Sequence, residues 1–256
     1  MGVKKLISPE FKVTVGDYEV TEGIEVECFS SKESHMDWCR VELSPQLQGV
    51  LKFKDMDEAS VELGYEDDFD SLIEGYVRCG DTDYWKEIMI KDDMMKLDRV
   101  TIKASFVDCE PQDVIRYVLA CAGIKDYVLS DRCYGKKDIF VIDRMSGIKA
   151  IAEVNSSWGI SAPFFFQEKR FYWGTRKTQD ELYVLEEGKT ILFLNRYGSL
   201  WEAETIAIPW IHHSQEVEVR HSKYSGIVTV EKTIVRSDDT GAVHMYIYFA
   251  GGEKDV

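Results

Sequence analysis

Ile227-Val228-Thr229-Val230, Thr233-Ile234-Val235-Arg236 and Val243-His244-Met245-Tyr246-Ile247-Tyr248-Phe249 each place apolar residues at alternate positions. They close a stretch from Thr205 to Phe249. It enters through Ile208-Pro209-Trp210, passes Val217-Glu218-Val219, breaks at Ser225-Gly226 and turns over Asp238-Asp239-Thr240-Gly241. Period-two patterning between Gly, Asp and Ser clusters is the pattern of antiparallel strands. The stretch offers a building surface and little chemistry.

Working outward, the N-terminal part carries a second copy of this pattern. Val61-Glu62-Leu63-Gly64-Tyr65 and Leu72-Ile73-Glu74-Gly75-Tyr76-Val77-Arg78 can be laid against Val217 to His221 and Val230 to Arg236. A Trp-containing strand precedes each: Trp38-Cys39-Arg40-Val41-Glu42-Leu43-Ser44-Pro45 in one, Trp201-Glu202-Ala203-Glu204-Thr205-Ile206-Ala207-Ile208-Pro209 in the other. Four elements in one order predict an internal duplication.

Between the copies the period changes. Glu110-Pro111-Gln112-Asp113 opens a helix, with Pro111 where a missing N–H costs nothing. Val114, Ile115, Val118, Leu119 and Ala122 form its apolar stripe and Gly123 stops it. A short strand at 138–142 follows. A second helix starts near Ser146 and ends before Gly159, and an aromatic hairpin spans Phe164 to Trp173. The expected organisation is a β unit over 1–104, a small α/β module over 105–176, and a second β unit over 177–256. Short evenly spaced strands within 1–104, beginning with a hairpin that turns at Gly16-Asp17, suggest a barrel or sandwich. Residues 176–189 read as the joint into the second β unit.

The totals restrict function. Of the 256 residues, 45% are hydrophobic, and 13 Tyr, 12 Phe and 6 Trp suit sheet faces and large interfaces. The net charge of −15 argues against gripping nucleic acid, which needs clustered Lys and Arg. No secretory or membrane-spanning segment is read, and Leu6 breaks a myristoylation pattern. The six cysteines (Cys28, Cys39, Cys79, Cys109, Cys121, Cys133) are therefore expected to be reduced.

Candidate sites dissolve on inspection. His212 and His213, with His221, read as surface or turn histidines, since adjacent strand residues face opposite ways. His35 with Cys28 and Cys39 lacks the Cys-x-x-Cys pair of a zinc site. Glu66-Asp67-Asp68-Phe69-Asp70 lacks the glycine of a calcium loop and reads as a hairpin tip, as does Asp81-Thr82-Asp83. Nucleophile-elbow, phosphate-loop, dinucleotide and His-Glu-x-x-His motifs are absent. With 46 acidic residues, some close carboxylate pair is certain and says nothing of glycoside hydrolysis. No catalytic, cofactor-binding or metal residue is expected, and no cofactor.

The order of parts resembles the baseplate hub family of phage tails, the late control protein D family, and the hubs of contractile bacteriocins and related injection machines. The resemblance rests on a β unit, then Ser105-Phe106-Val107-Asp108-Cys109-Glu110-Pro111-Gln112-Asp113-Val114-Ile115 at a helix start, then Phe171-Tyr172-Trp173-Gly174, then Ile208-Pro209-Trp210 and a closing β unit. It implies two homologous antiparallel β-barrels, akin to tail-tube subunits, flanking the α/β module. It implies a homotrimer whose six barrels meet a six-fold tail tube while the other side meets a three-fold central spike. Implied partners are the tube, the spike, other baseplate proteins, and tape-measure protein or DNA passing the lumen, without membrane insertion. The implied place is the baseplate of a virion tail or tail-like particle, made in the bacterial cytoplasm. With Val256 just after the last strand, no fused spike or hydrolase domain is expected. The rival readings are a carbohydrate-binding β module stacking sugars on Phe171, Tyr172 and Trp173, and a cell-wall hydrolase accessory of a tail.

Overall fold

A computed structural model describes residues 8–66, 68–79, 86–238 and 240–251. In chain order the strands and helices are β1 (Pro9–Val15), β2 (Tyr18–Val20), β3 (Ile24–Ser31), β4 (Trp38–Leu43), β5 (Glu58–Tyr65), β6 (Asp68–Arg78), β7 (Glu87–Lys91), α1 (Met94–Arg99), β8 (Thr101–Cys109), α2 (Pro111–Cys121), β9 (Tyr127–Leu129), β10 (Lys137–Ser146), α3 (Gly147–Trp158), β11 (Phe164–Gln167), β12 (Arg170–Trp173), β13 (Tyr183–Glu186), β14 (Ile191–Tyr197), β15 (Leu200–Thr205), β16 (Glu216–His221), β17 (Tyr224–Ser237) and β18 (Val243–Ala250). The protein is mainly β, as its alternation requires. Two compact units form: Met1–Lys32 with Asp37–Lys91 and Thr178–Val256, and Glu33–Met36 with Asp92–Lys177.

The first unit is one 13-stranded sheet system. Its N-terminal half runs β3-β4-β7-β6-β5-β1, with β2 beyond; its C-terminal half runs β14-β15-β18-β17, continuing through β16 to β13. The two orders are the same. Numbering six strands along each half, both read second, third, sixth, fifth, fourth, first. The likeness reaches single residues. The Val77 N–H donates to the Asp57 carbonyl and its own carbonyl accepts from Met56; the Val230 N–H donates to Gln215 and its carbonyl accepts from Ser214. Met56 and Ser214 both hold positive φ, 73° and 66°, uncommon for such side chains.

This correspondence corrects the register expected from sequence. Val77, and not Ile73, stands where Val230 stands. Trp38 and Trp201 do not match, because Trp38 alternates with buried Cys39 and Val41 whereas Trp201 shares the parity of buried Ala203 and Thr205. A one-residue slip changes the face of a strand. The break expected at Ser225-Gly226 is also displaced: β17 runs straight through it, and the chain turns at Ser222 and Lys223.

Among the described residues neither half closes into a barrel. The sheet path instead stays open and crosses from one half into the other. The reason is the length of β17. Its 14 residues outrun β16, which pairs with Tyr224 to Thr229. The overhang, Lys232 to Arg236, is taken by Ser31 to Glu27 of β3. One core therefore serves both halves, with Val41, Val61, Leu63, Val77, Ile90, Val217, Val230, Ile247 and Phe249 fully buried. Tyr65 also bridges the halves, its phenol donating to the Ala207 carbonyl at 2.6 Å.

Cys28 and Cys39 face each other across β3 and β4 as a disulfide pair, 4.1 Å between Cα atoms. This overturns the expectation that all six thiols are reduced. Antiparallel pairing of two eligible neighbouring strands brings the two together.

The second unit holds the α/β module. β8 pairs with β10, and β9 joins the β11–β12 hairpin in parallel. The strand expected to end the first β unit at residue 104 thus belongs to this second unit and runs on to Cys109, and the helix opens at Pro111 as the sequence suggests. α1 was not expected; six residues are too few to show a helical period. The two longer helices end as the sequence suggests. Gly123 and Gly159 adopt positive φ, and Ile124 and Ile160 donate back to Leu119 and Asn155, closing each last turn. Among the described residues no helix is long and apolar enough to cross a membrane.

Candidate functional site

Among the described residues the polar clusters noted in the sequence do not converge on one another. His213 lies in a turn, as expected, but is buried at 1% exposure, against the reading of a surface residue. Its Nδ1 is 2.9 Å from the Ser214 hydroxyl and its Nε2 3.6 Å from Asp37. His221 accepts from the Lys223 N–H at 3.0 Å and sits 3.4 Å from Glu187. His35 stacks on Phe164 at 4.4 Å, and burial lowers its pKa. Cys28 and Cys39 are joined to each other. Glu66 is at the β5–β6 turn and Asp68 and Asp70 lie on β6, so the acidic run is a hairpin tip; Asp67 and Asp81 to Asp83 fall outside the described residues. Among the described residues no group of three His, Cys, Asp or Glu side chains gathers as a metal would require.

The aromatic hairpin is core. Phe164, Phe171 and Trp173 are at most 1% exposed, and Phe165, Phe166 and Tyr172 at most 5%. Glu168 and Lys169, both at positive φ, make the tight turn. The Trp173 indole donates to Asn155, which itself donates to the Ala162 carbonyl, so the acceptor of the ring N–H is itself held in place. These rings leave no open face for a sugar to stack on.

What remains are sheet faces and edges. The face of the sheet opposite its core carries paired charge. Arg40 bonds Glu27 at 2.8 Å, Tyr248 donates to Glu202, and the Lys232 ammonium lies 3.7 Å over the Tyr248 ring. Burial first, and then the Glu202 carboxylate, hold the Tyr248 phenol well above its usual range. A shallow cleft at the β3–β17 junction is lined by Glu25, Glu27, Arg40, Glu42 and Arg236.

The edges differ more. The N-terminal end of the sheet path is β2, three residues long. The other end is β14, seven residues long, whose hairpin with β15 exposes Leu192, Phe193, Tyr197 and Leu200. In the second unit Val107, Ile139 and Val141 also stand exposed, on the outer face of β8 and β10. Sequence reasoning named neither of these patches. The signal was present in Leu192-Phe193, two large apolar residues in succession where alternation calls for one.

Solved structures share this architecture. The chain matches the 43 kDa tail protein of prophage MuSo2 from Shewanella oneidensis with a TM-score of 0.73 at 11% identity, over 95% of this chain and 98% of that one. It matches a tail protein from Neisseria meningitidis MC58 with a TM-score of 0.68 at 10% identity, over 96% and 97%. The E. coli c3393 protein, a component of the type VI secretion system with structural similarity to bacteriophage T4 tail proteins gp27 and gp5, gives 0.68 at 9% identity, over 95% and 77%. The likeness is one of fold. No protein-family model matches the sequence, and no curated protein matches it significantly.

Proposed function

We propose that this chain is a structural component of a phage-like tail: a baseplate hub that assembles as a trimer and adapts a six-fold tail tube to a three-fold central spike. One observation carries the reading. The strand order of one half is repeated in the other, inside a fold whose likeness to tail proteins spans nearly the whole chain. Two similar halves per chain, three times over, offer six similar elements to a tube and three identical ones to a spike. The halves share one sheet instead of forming two separate barrels, which fixes their mutual orientation as an adaptor ring needs.

The role is mechanical and needs no catalytic group. Its working parts are interfaces with further copies, tube, spike and other baseplate proteins. The acidic surplus, a net −15, suits a lumen through which DNA or tape-measure protein slides without adhering. The place of action is the tail of a virion or of a headless, contractile tail-like particle.

The test is solution mass by light scattering across a dilution series, alone and with a candidate spike protein. A trimer, alone or with the spike, is expected. A strict monomer that no tail protein assembles overturns the reading.

A further inference from the structure

We infer that the outer edge of β14, at Asn195-Arg196-Tyr197, is where a second copy of this chain adds a β-strand. The inference rests on the assembly reading above and says which surface of the chain serves it.

The argument starts from the internal repeat. Within the N-terminal half, β3 pairs with β4 so that Cys28 faces Cys39 and Val26 faces Val41. Within the C-terminal half, β14 pairs with β15 so that Arg196 faces Trp201 and Leu194 faces Ala203. The strands next in each path, β7 and β18, set Cys39 level with Trp201, through Ile90 and Phe249 and then Val77 and Val230. Asn195, Arg196 and Tyr197 therefore occupy the places of Glu27, Cys28 and Phe29.

Those three N-terminal residues are not an edge. Glu27, Cys28 and Phe29 pair with Arg236, Val235 and Ile234 of β17. Their counterparts pair with β15 on one side and have no second strand partner among the described residues; β14 ends the sheet path. Even the flanking position agrees. The Val26 N–H is taken by the Ser237 hydroxyl at 2.8 Å, and the carbonyl of its counterpart Leu194 accepts from the Lys223 ammonium at 2.9 Å. Lys223 stops one residue short of the bare segment.

The chemistry of the edge suits a strand. Unpaired edges are ordinarily kept short, or are blunted with Lys, Pro or inward charge. β2, at the other end, is short. β14 reads Ile191-Leu192-Phe193-Leu194-Asn195-Arg196-Tyr197, with one cation and no proline. Phe193 and Tyr197 are 63% and 62% exposed. A second copy is the occupant of choice because the chain already makes this junction with itself at β3.

The experiment is hydrogen–deuterium exchange read by mass spectrometry across the same dilution series. Amides of 195–197 are expected to gain protection as mass rises, while those of β2 do not change. The double variant Phe193→Glu, Tyr197→Glu should weaken assembly by on the order of tenfold or more. Exchange in β17 and β18 reports whether that variant is folded. Assembly without new protection at 195–197 overturns the inference and leaves the hub reading standing. Protection gained only on adding another tail protein overturns the choice of a second copy. No assembly under any condition overturns both.

Discussion

The two halves of the sheet share a strand order and differ at both ends. In the N-terminal half β1 pairs antiparallel with β5; in the C-terminal half β13 pairs parallel with β16. The cause is β2, a strand without a counterpart, which reverses the chain once more between the first and second strands. At the other end β3 is covered by β17, while among the described residues the outer edge of its counterpart β14 is bare. A duplicated pattern placed twice in one chain can make its junction internally only once. Among the described residues the second junction is left open, and under the proposed assembly that asymmetry is what a second copy would use.

The strongest way to break the comparison is at its two best-matched residues. Val77 and Val230 are both fully buried. An unpaired carboxylate there has no partner and costs several kcal/mol. Val77→Asp and Val230→Asp are each expected to destabilise by more than about 3 kcal/mol. Because one core serves both halves, each variant should melt the whole sheet in one urea transition, followed by tryptophan fluorescence. Two separated transitions would mean that the halves fold independently.

The next effect belongs to one half only. The Cys28–Cys39 pair closes a loop with a sequence separation of 11, and its counterparts in the C-terminal half are Arg196 and Trp201. Joining residues this close stabilises by roughly 2 to 3 kcal/mol in the loop-entropy picture. Dithiothreitol should lower the unfolding free energy from urea titration by that amount in the wild type and leave a Cys28→Ala, Cys39→Val variant unmoved.

Tyr65 tests the seam. Burial pushes its phenol up to about 12. An unfolded tyrosine loses its proton near pH 10, so its stabilising contribution is complete below that pH and is lost as pH rises from 10 towards 12. Tyr65→Phe leaves the Ala207 carbonyl without its partner, at about 1 to 2 kcal/mol near neutral pH. The difference between wild type and variant should shrink above pH 10, which denaturation at a series of pH values would show.

Much of this was legible in the sequence. Pro111 and Gly123 bracket α2, Gly159 ends α3, and Gly16-Asp17 turns β1 into β2, because each of these signals is local. The duplication was legible too, since it depends on strand order. Its register was not. The two Trp residues are prominent letters that fall on opposite faces, and only cross-strand pairing shows it. The junction of β3 with β17 was hidden for the same reason: it joins residues about 200 apart by backbone bonds that any side chain allows. The fate of the aromatic hairpin was a matter of burial. Phe171 and Trp173 have the composition of a stacking platform and the exposure of a core.

The smallest expected effect sharpens the comparison most. Lys223 reaches from the β16–β17 turn to the Leu194 carbonyl and blunts the start of the β14 edge. Lys223→Met keeps the length of the side chain and removes its donor. The lost bond is a partly exposed one, so the folded chain should lose at most about 1 kcal/mol. The freed carbonyl is backbone at a strand edge, and a second strand can satisfy it as well as water can. Self-association should therefore tighten slightly while stability falls slightly, two changes of opposite sign from one substitution. Ser237→Ala, the matching change beside the covered edge of β3, should lower stability by a similar amount with no effect on mass. Equal behaviour of the two variants in light scattering would mean that the β14 edge is no more available than the β3 edge, and the asymmetry between the halves would lose its functional meaning.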